Sequence, residues 1–448
     1  MSTSPARAAA FDVLLRVEQQ DAYASELLHS SQYKKLSPAD HGLATELVMG
    51  VLRSRSLLDA EIERFSNQRT GRLDVEVLTA LRLAAYQLLF LDRVPARAAV
   101  HESVELVKRA RKGSAVPFAN AVLRKLARGA FTAKVSGKNE EPAEREAIPD
   151  LSRRLAHPLW LVERWARHFG LDQAKQICSY DQQPPAATVR LADAATEAEL
   201  KAEGIDLAPG QLLASARRVR AGNVSRTRAF AEGRVAIQDE ASQLVALLVG
   251  KGSNILDCCA APGGKTRVLA EQNPGARIVA LELHAHRARL LQRLVQARHV
   301  EVINADVLAF AGSTGFDRVL ADVPCSGTGT LAHNPEIKWR LQLQDLADLQ
   351  SRQLAILRAA MRQVAPAGRL VYSLCSLEPE ENEEVVERVL SDEHAFSLID
   401  CRAELEKLRA RGDLAWSDPE SLVSGPFLRT LPGVHPCDGF FVAILQKS

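Results

Sequence analysis

From residue 235 to the C-terminus, short apolar runs alternate with amphipathic helical patterns, and this alternation constrains the fold more than any other feature. The runs cover residues 255–257, 277–283, 300–304, 318–322, 369–374 and 440–445. Strands separated by helix-length returns pair in parallel, because the connection must run back along the strand's length before the next strand can start. The pattern therefore predicts a doubly wound parallel sheet with helices on both faces. Such sheets bind ligands outside the carboxyl ends of their strands, so the residues just past each run are the candidate site.

The 448 residues are too many for one ordinary core and suit two or three domains. Residues 1–130 read as all-helical. Leu14, Leu15, Val17, Leu27 and Leu28 lie in periodic stretches, and Leu43, Leu47, Val51, Leu52, Leu58 and Ile62 continue the three-to-four residue spacing. Residues 75–90 are nearly continuous in Leu and Ala, as in a buried central helix. Pro38 and Asp40 mark a helix start, and Gly71 and Pro95 fall between periodic segments. A last helix over 118–127 is expected to end near Gly129. Residues 131–148 lose the periodicity and gather Gly, Pro, Lys and Glu, which predicts a linker. Residues 149–234 open with a helix carrying Leu159, Leu161, Val162 and Trp165, then give short strand-like pieces such as 187–191. The expected organisation is multidomain: an all-α N-terminal domain, a small α+β module and an α/β domain over 235–448.

The charge balance, 57 Lys and Arg against 55 Asp and Glu, gives a net charge of +2 and points weakly to nucleic acid. Locally it is stronger. Residues 1–130 carry 19 basic against 14 acidic residues. Lys108, Arg109, Arg111 and Lys112 cluster, as do Arg217, Arg218, Arg220, Arg226 and Arg228. Such runs are more often solvated faces than nucleic-acid sites. No apolar run approaches the ~20 residues of a membrane-spanning helix, and residues 1–20 lack a secretory core. A cytoplasmic, membrane-free protein is expected. The seven cysteines form no Cys-x-x-Cys pair and match no zinc spacing, so free thiols and no metal site are expected.

Five segments sit where the sheet would place a ligand. The first, Asp257-Cys258-Cys259-Ala260-Ala261-Pro262-Gly263-Gly264-Lys265-Thr266, joins a strand to a helix. Its Gly-Lys-Thr ending suggests a phosphate-binding loop, but that motif needs glycine where Cys259 stands. What remains is a tight turn that lets a ligand approach the backbone at a helix N-terminus. The second is Glu282, about twenty residues on, where a carboxylate can accept from both hydroxyls of a ribose. The third is Asp306, suited to an adenine amino group. Each acid alone is more often a strand-end or cap residue. Their order after the glycine turn points to a nucleoside cofactor. The fourth and fifth are Asp322-Val323-Pro324-Cys325-Ser326-Gly327-Thr328-Gly329 and Tyr372-Ser373-Leu374-Cys375-Ser376-Leu377-Glu378-Pro379-Glu380-Glu381-Asn382. They put two cysteines at the ends of two strands of one sheet, one beside Asp322, which packing alone does not explain.

These residues resemble the RNA cytosine-5 methyltransferase family, with its Pro-Cys and Cys-Ser motifs and a cofactor turn ending Ala-Pro-Gly-Gly-Lys. The resemblance spans essentially the whole chain. It extends to Gln238-Asp239-Glu240-Ala241-Ser242, to Asn334-Pro335-Glu336-Ile337-Lys338-Trp339 and to Asp438-Gly439-Phe440-Phe441. Residues 1–130 look like a NusB-type helical RNA-binding domain. Leu374 stands where the family usually has Thr, and Glu282 where Asp is usual.

The resemblance implies a Rossmann-like class I methyltransferase domain that uses S-adenosyl-L-methionine. It implies a monomer acting on small-subunit (16S) ribosomal RNA, at a single-stranded or flipped cytosine. Cofactor contacts would come from Cys259, Ala260, Ala261, Pro262, Gly263, Gly264, Lys265, Glu282, Arg287, Asp306 and Asp322. Cys375 would be the nucleophile that adds to C6 of the base and activates C5. Cys325 would assist product release, Asp322 would serve N3, and Lys265 would support Asp322. The residues by themselves support a two-cysteine pocket beside Asp322; only the resemblance assigns attack to one sulfur and release to the other. Other readings are C5 methylation of a tRNA or another RNA, a methyltransferase for protein or small molecules, and a non-catalytic RNA-binding antitermination factor. The protein or small-molecule reading has no need of two cysteines, and the intact Gly263, Gly264, Asp322, Cys325 and Cys375 oppose the non-catalytic one.

Overall fold

The computed structural model describes residues 3–30, 32–33, 35–136, 147–312 and 315–448. The chain divides into two compact units. One comprises Met1–Pro184 with Leu331–Arg340, the other Pro185–Thr330 with Leu341–Ser448.

The first unit is helical. Helix Val75–Phe90 runs through its middle with Leu81, Leu83, Ala84 and Ala85 fully buried, as its composition requires. Helices Pro5–Gln20, Pro38–Arg53, Arg55–Ser66, Ala96–Arg109 and Val116–Ser136 pack around it. Pro5 and Pro38 open their helices at a position that needs no N–H donor. The last of these helices passes Gly129 and continues to Ser136, beyond the expected stop. Gly129 instead makes room, since a β-carbon there would stand 2.6 Å from the Phe65 ring. Of the expected linker, residues 137–146 lie outside the described residues. Helices Ile148–Arg154, Leu159–Phe169 and Leu171–Asp181 group with this unit rather than with the strands that follow them.

The stretch Leu331–Arg340 completes the helical unit through side-chain bonds to backbone. The Glu336 carboxylate accepts from the Ala24 amide at 2.8 Å. Trp339 Nε1 donates to the Leu52 carbonyl at 2.6 Å. Lys338, 1% exposed, donates to the Arg53 and Ala156 carbonyls at 3.1 Å each. The Arg340 guanidinium donates to Val17, Asp21 and Ala22 carbonyls at 2.6, 3.0 and 2.7 Å, at the C-terminus of the first helix. A cation there meets both orphan carbonyls and the negative end of the helix.

The second unit holds two sheets. Strands β1 (Thr188–Leu191), β2 (Asp206–Pro209), β3 (Ala216–Ala221) and β4 (Val235–Ile237) form an antiparallel sheet in the order β2-β3-β1-β4. The larger sheet contains β5 (Asn254–Asp257), β6 (Arg277–Glu282), β7 (Val300–Asn304), β8 (Phe316–Asp322), β9 (Val364–Leu374), β10 (Phe396–Ile399), β11 (Val423–Ser424), β12 (Phe427–Thr430) and β13 (Phe440–Lys447). Its order is β11-β12-β13-β9-β8-β5-β6-β7, with β10 also paired to β13. Pairing is parallel from β7 to β9, as the alternation predicts. At the other edge β13 runs antiparallel to β9, because β13 follows an antiparallel partner, β12, instead of a crossover helix.

Alternate strand residues face opposite layers. Ile255, Leu320, Val371 and Val442 pack with helices Glu240–Val249, Gly264–Gln272 and Cys401–Ala410. Leu256, Val319, Tyr372 and Phe441 pack with helices Asp345–Arg362 and Glu383–Leu390. Strand order reverses between β5 and β8, which opens a crevice at their carboxyl ends.

Candidate active site

The turn after β5 carries the first group of residues. Ala261–Pro262 is a cis peptide, and Gly263 adopts φ 115°, a conformation glycine alone takes readily. A β-carbon on Gly263 would also stand 2.7 Å from Leu291 and 2.8 Å from Val295. The turn therefore lies against helix Ala285–Leu294, and helix Gly264–Gln272 starts directly from it. Asp257 is buried at the end of β5 and accepts from Thr266 Oγ1 at 2.7 Å. Burial pushes its carboxyl up to about 7.

Glu282 ends β6 and sits opposite Asn304, which ends β7. Its carboxylate is 5% exposed and accepts from the His284 amide at 2.8 Å. Asp306 follows two residues after β7 and accepts from the Leu308 amide at 2.9 Å. Arg287 is exposed and reaches back to the Ala261 carbonyl at 3.4 Å. Glycine turn, buried acid and second acid thus line the ends of three neighbouring strands. That fits a nucleoside cofactor: an apolar, glycine-opened cradle with carboxylates but few cations suits hydroxyl and amino donors better than phosphate.

The reactive groups meet beside this cradle. Lys265 Nζ lies 2.8 Å from Asp322 Oδ2, and Ser373 Oγ donates to Asp322 Oδ1 at 2.8 Å. Burial presses Lys265 down, but the adjacent Asp322 carboxylate outweighs it and holds the ammonium above its usual range. The ammonium also lies 4.9 Å over the Phe440 ring. Cys325 and Cys375, both partly exposed, hold their sulfurs 3.5 Å apart. The hydrogen bond to Cys375, followed by burial, pushes the Cys325 thiol well above the usual range.

The β5–β9 ends bring together the glycine turn, Lys265, Asp322, Cys325 and Cys375, with Glu282 and Asp306 on the next two strands. Cys258 is buried beneath the turn, and Cys178, Cys401 and Cys437 are buried core residues. Among the described residues, no group of three or more His, Cys, Asp and Glu is arranged to hold a metal ion. Nor is any of the described helices long and apolar enough to cross a membrane. Three polar residues that received no role from the motifs belong to the neighbourhood: Ser373, Glu381 and Gln353. Ser373 and Glu381 lie inside the Cys375 motif, which marks the neighbourhood but not their roles; Gln353 lies on a distant helix with nothing local to mark it.

Strand order, switch-point crevice and cradle together define a class, the Rossmann-like S-adenosylmethionine-dependent methyltransferases. The family within that class is shown by comparison. Residues 244–446 match the model described as 16S rRNA methyltransferase RsmB/F. Residues 4–128 match the NusB family, and residues 157–222 the RsmF/B-like ferredoxin-like domain. The chain is 36% identical over 474 aligned residues to the probable ribosomal RNA small subunit methyltransferase B of Bacillus subtilis (strain 168), covering 100% of both chains. It is 30% identical to ribosomal RNA small subunit methyltransferase B of Vibrio cholerae, over 99% of this chain and 97% of that one. The crystal structure of PH0851 shares the fold, with a TM-score of 0.77, 22% identity and 100% of both chains covered. The chain belongs to the RsmB/F family of 16S rRNA methyltransferases.

Proposed function

We propose that the protein methylates C5 of a specific cytosine in small-subunit (16S) ribosomal RNA through a transient bond between a cysteine and C6. The observation that carries this reading is the pair of sulfurs 3.5 Å apart beside the Lys265–Asp322 ion pair. Methyl transfer to oxygen or nitrogen has no use for two thiols. C5 of cytosine is a weak carbon nucleophile, and addition of a thiolate at C6 converts the ring to an enamine whose C5 can form the new bond.

Of the two sulfurs, Cys325 keeps its proton, held there first by its bond to Cys375 and then by burial. Attack is assigned to Cys375, whose sulfur lies 3.5 Å from that of Cys325. The Lys265 ammonium, paired with Asp322, supplies positive charge on the Cys375 side of the pocket. Asp322, held in place by Lys265 and Ser373, is assigned to N3 of the base, where a proton or hydrogen bond eases addition at C6. After methylation the C5 proton leaves and the C6–S bond breaks, a step assigned to Cys325.

S-adenosylmethionine supplies the methyl group as an electrophile. Residues 259–265 would hold it, with Glu282 on the ribose hydroxyls, Asp306 toward the adenine amino group and Arg287 bracing the turn. A paired cytosine cannot reach a recessed two-sulfur pocket, so the target is single-stranded or flipped. The NusB-like helices and the basic strand β3 are assigned to the RNA backbone, which positions the target.

Cys325→Ala incubated with cofactor and RNA is expected to accumulate a protein–RNA adduct that survives denaturing electrophoresis. Cys375→Ala is expected to be inactive and adduct-free. The reverse pattern exchanges the two roles, and no adduct from either variant sinks the covalent route. Bisulfite sequencing of ribosomal RNA from a deletion strain locates the modified cytosine.

A further inference from the structure

The two cysteine loops are joined beneath the sulfurs by a carboxylate for which the chemistry above has no use. Glu381 is fully buried. Its Oε1 accepts from the Ser326 amide and from Gln353 Nε2, both at 2.8 Å. Its Oε2 accepts short hydrogen bonds from the Ser326 and Ser376 hydroxyls. Ser326 follows Cys325 and Ser376 follows Cys375, so one carboxylate grips the residue next to each sulfur. Gln353 donates also to the Pro324 carbonyl at 3.0 Å, on the other side of Cys325.

A buried carboxylate is costly unless several donors satisfy it, and here the donors are uncharged. Among the described residues no ion pair to Glu381 is found. An acid kept in so expensive a place, with donors drawn from both catalytic loops, is poorly explained as filler. An apolar side chain would fill the volume but could not hold two hydroxyls and an amide at once.

We propose that Glu381 is a positioning residue of the two-sulfur pocket: it fastens the Cys325 loop to the Cys375 loop and so fixes the separation on which product release depends. The inference rests on the covalent reading above. The carboxylate also adds, after the Cys375 contact and burial, to the influences that keep the Cys325 proton in place.

The test uses the full chain with its RNA substrate and S-adenosylmethionine. Glu381→Gln removes the charge and puts an amide donor where Oε2 accepts from two hydroxyls, so the Ser326 and Ser376 hydroxyls must reverse to acceptors or lose the contact. Loss of one or two charge-assisted bonds should lower kcat about tenfold to a hundredfold, with KM for RNA and cofactor affinity near wild type. Release should suffer more than attack, so the variant should accumulate the denaturation-resistant RNA adduct that wild type does not. A purely structural loss would lower turnover and adduct together. Ser376→Ala, which frees the Cys375 loop from an intact Glu381, should show the same adduct at smaller amplitude, and it carries the test if Glu381→Gln does not fold. Wild-type kcat in both variants, or reduced kcat without adduct, overturns the proposal. That result is distinguishable from failure of the covalent reading, in which Cys325→Ala itself gives no adduct.

Discussion

Gly329 and Gly439 press backbone against backbone: the Gly439 amide donates to the Gly329 carbonyl at 2.8 Å, and a β-carbon on Gly329 would stand 2.1 Å from the Gly439 oxygen. The contact ties the loop after Cys325 to the start of β13. The Gly329 amide in turn donates to the Cys375 carbonyl at 2.9 Å. Gly329→Ala cannot be accommodated by rotating a side chain, because the obstacle is main chain. We expect it to cost ~2 kcal/mol or more in chemical denaturation, since overpacking of fixed neighbours typically costs 1–3. Methyl transfer should fall further than stability alone accounts for. A variant with unchanged midpoint and unchanged activity would mean the loops adjust freely.

The Lys265–Asp322 pair makes a separate prediction. Asp322→Asn should lower kcat about 10²- to 10⁴-fold, the range for losing a positioned proton-transfer group. Lys265→Met should cost less if its task is to support Asp322. Steady-state kinetics with saturating cofactor separates the two, and equal losses from both would place Lys265 in direct contact with the chemistry.

Asp257 gives a pH signature. Its folded-state value of about 7 lies above the ordinary carboxylate value of about 3.9. The folded state therefore binds the proton more tightly than the unfolded state does. The contribution to stability is full below about pH 4, declines as pH rises toward about 7 and is lost above that. Asp257→Asn stays neutral throughout. Its melting temperature relative to wild type should rise between about pH 4 and about pH 7 and level off above that, and parallel curves would show that Asp257 is not the titrating group.

The parallel strands were legible because burial on both faces demands continuous apolar runs, as in Ile255-Leu256 and Val319-Leu320-Ala321. Strand β3, Ala216-Arg217-Arg218-Val219-Arg220-Ala221, was not, because it is only partly buried and its arginines conceal the period. Strands β11 and β12 were missed because two and four residues are too short to show a period. In the site, the cysteines stood out because two of them lie in neighbouring motifs of one sheet, one beside Asp322. Glu381 did not, because an acid in a loop looks solvated until its partners, 5 to 55 residues away, are seen. The role of Leu331–Arg340 was hidden for the same reason: its Arg340 bonds reach back 318 to 323 residues.

That decapeptide changes what can be exchanged between relatives of this chain. The helical unit is discontinuous, so a break after Pro184 would separate Lys338, Trp339 and Arg340 from the carbonyls they serve. A replacement N-terminal domain could not be grafted by matching its ends alone. It would have to present free carbonyls in the places where Val17, Asp21, Ala22, Leu52 and Arg53 now do, so the path of its backbone, more than its side chains, decides whether the decapeptide can seat.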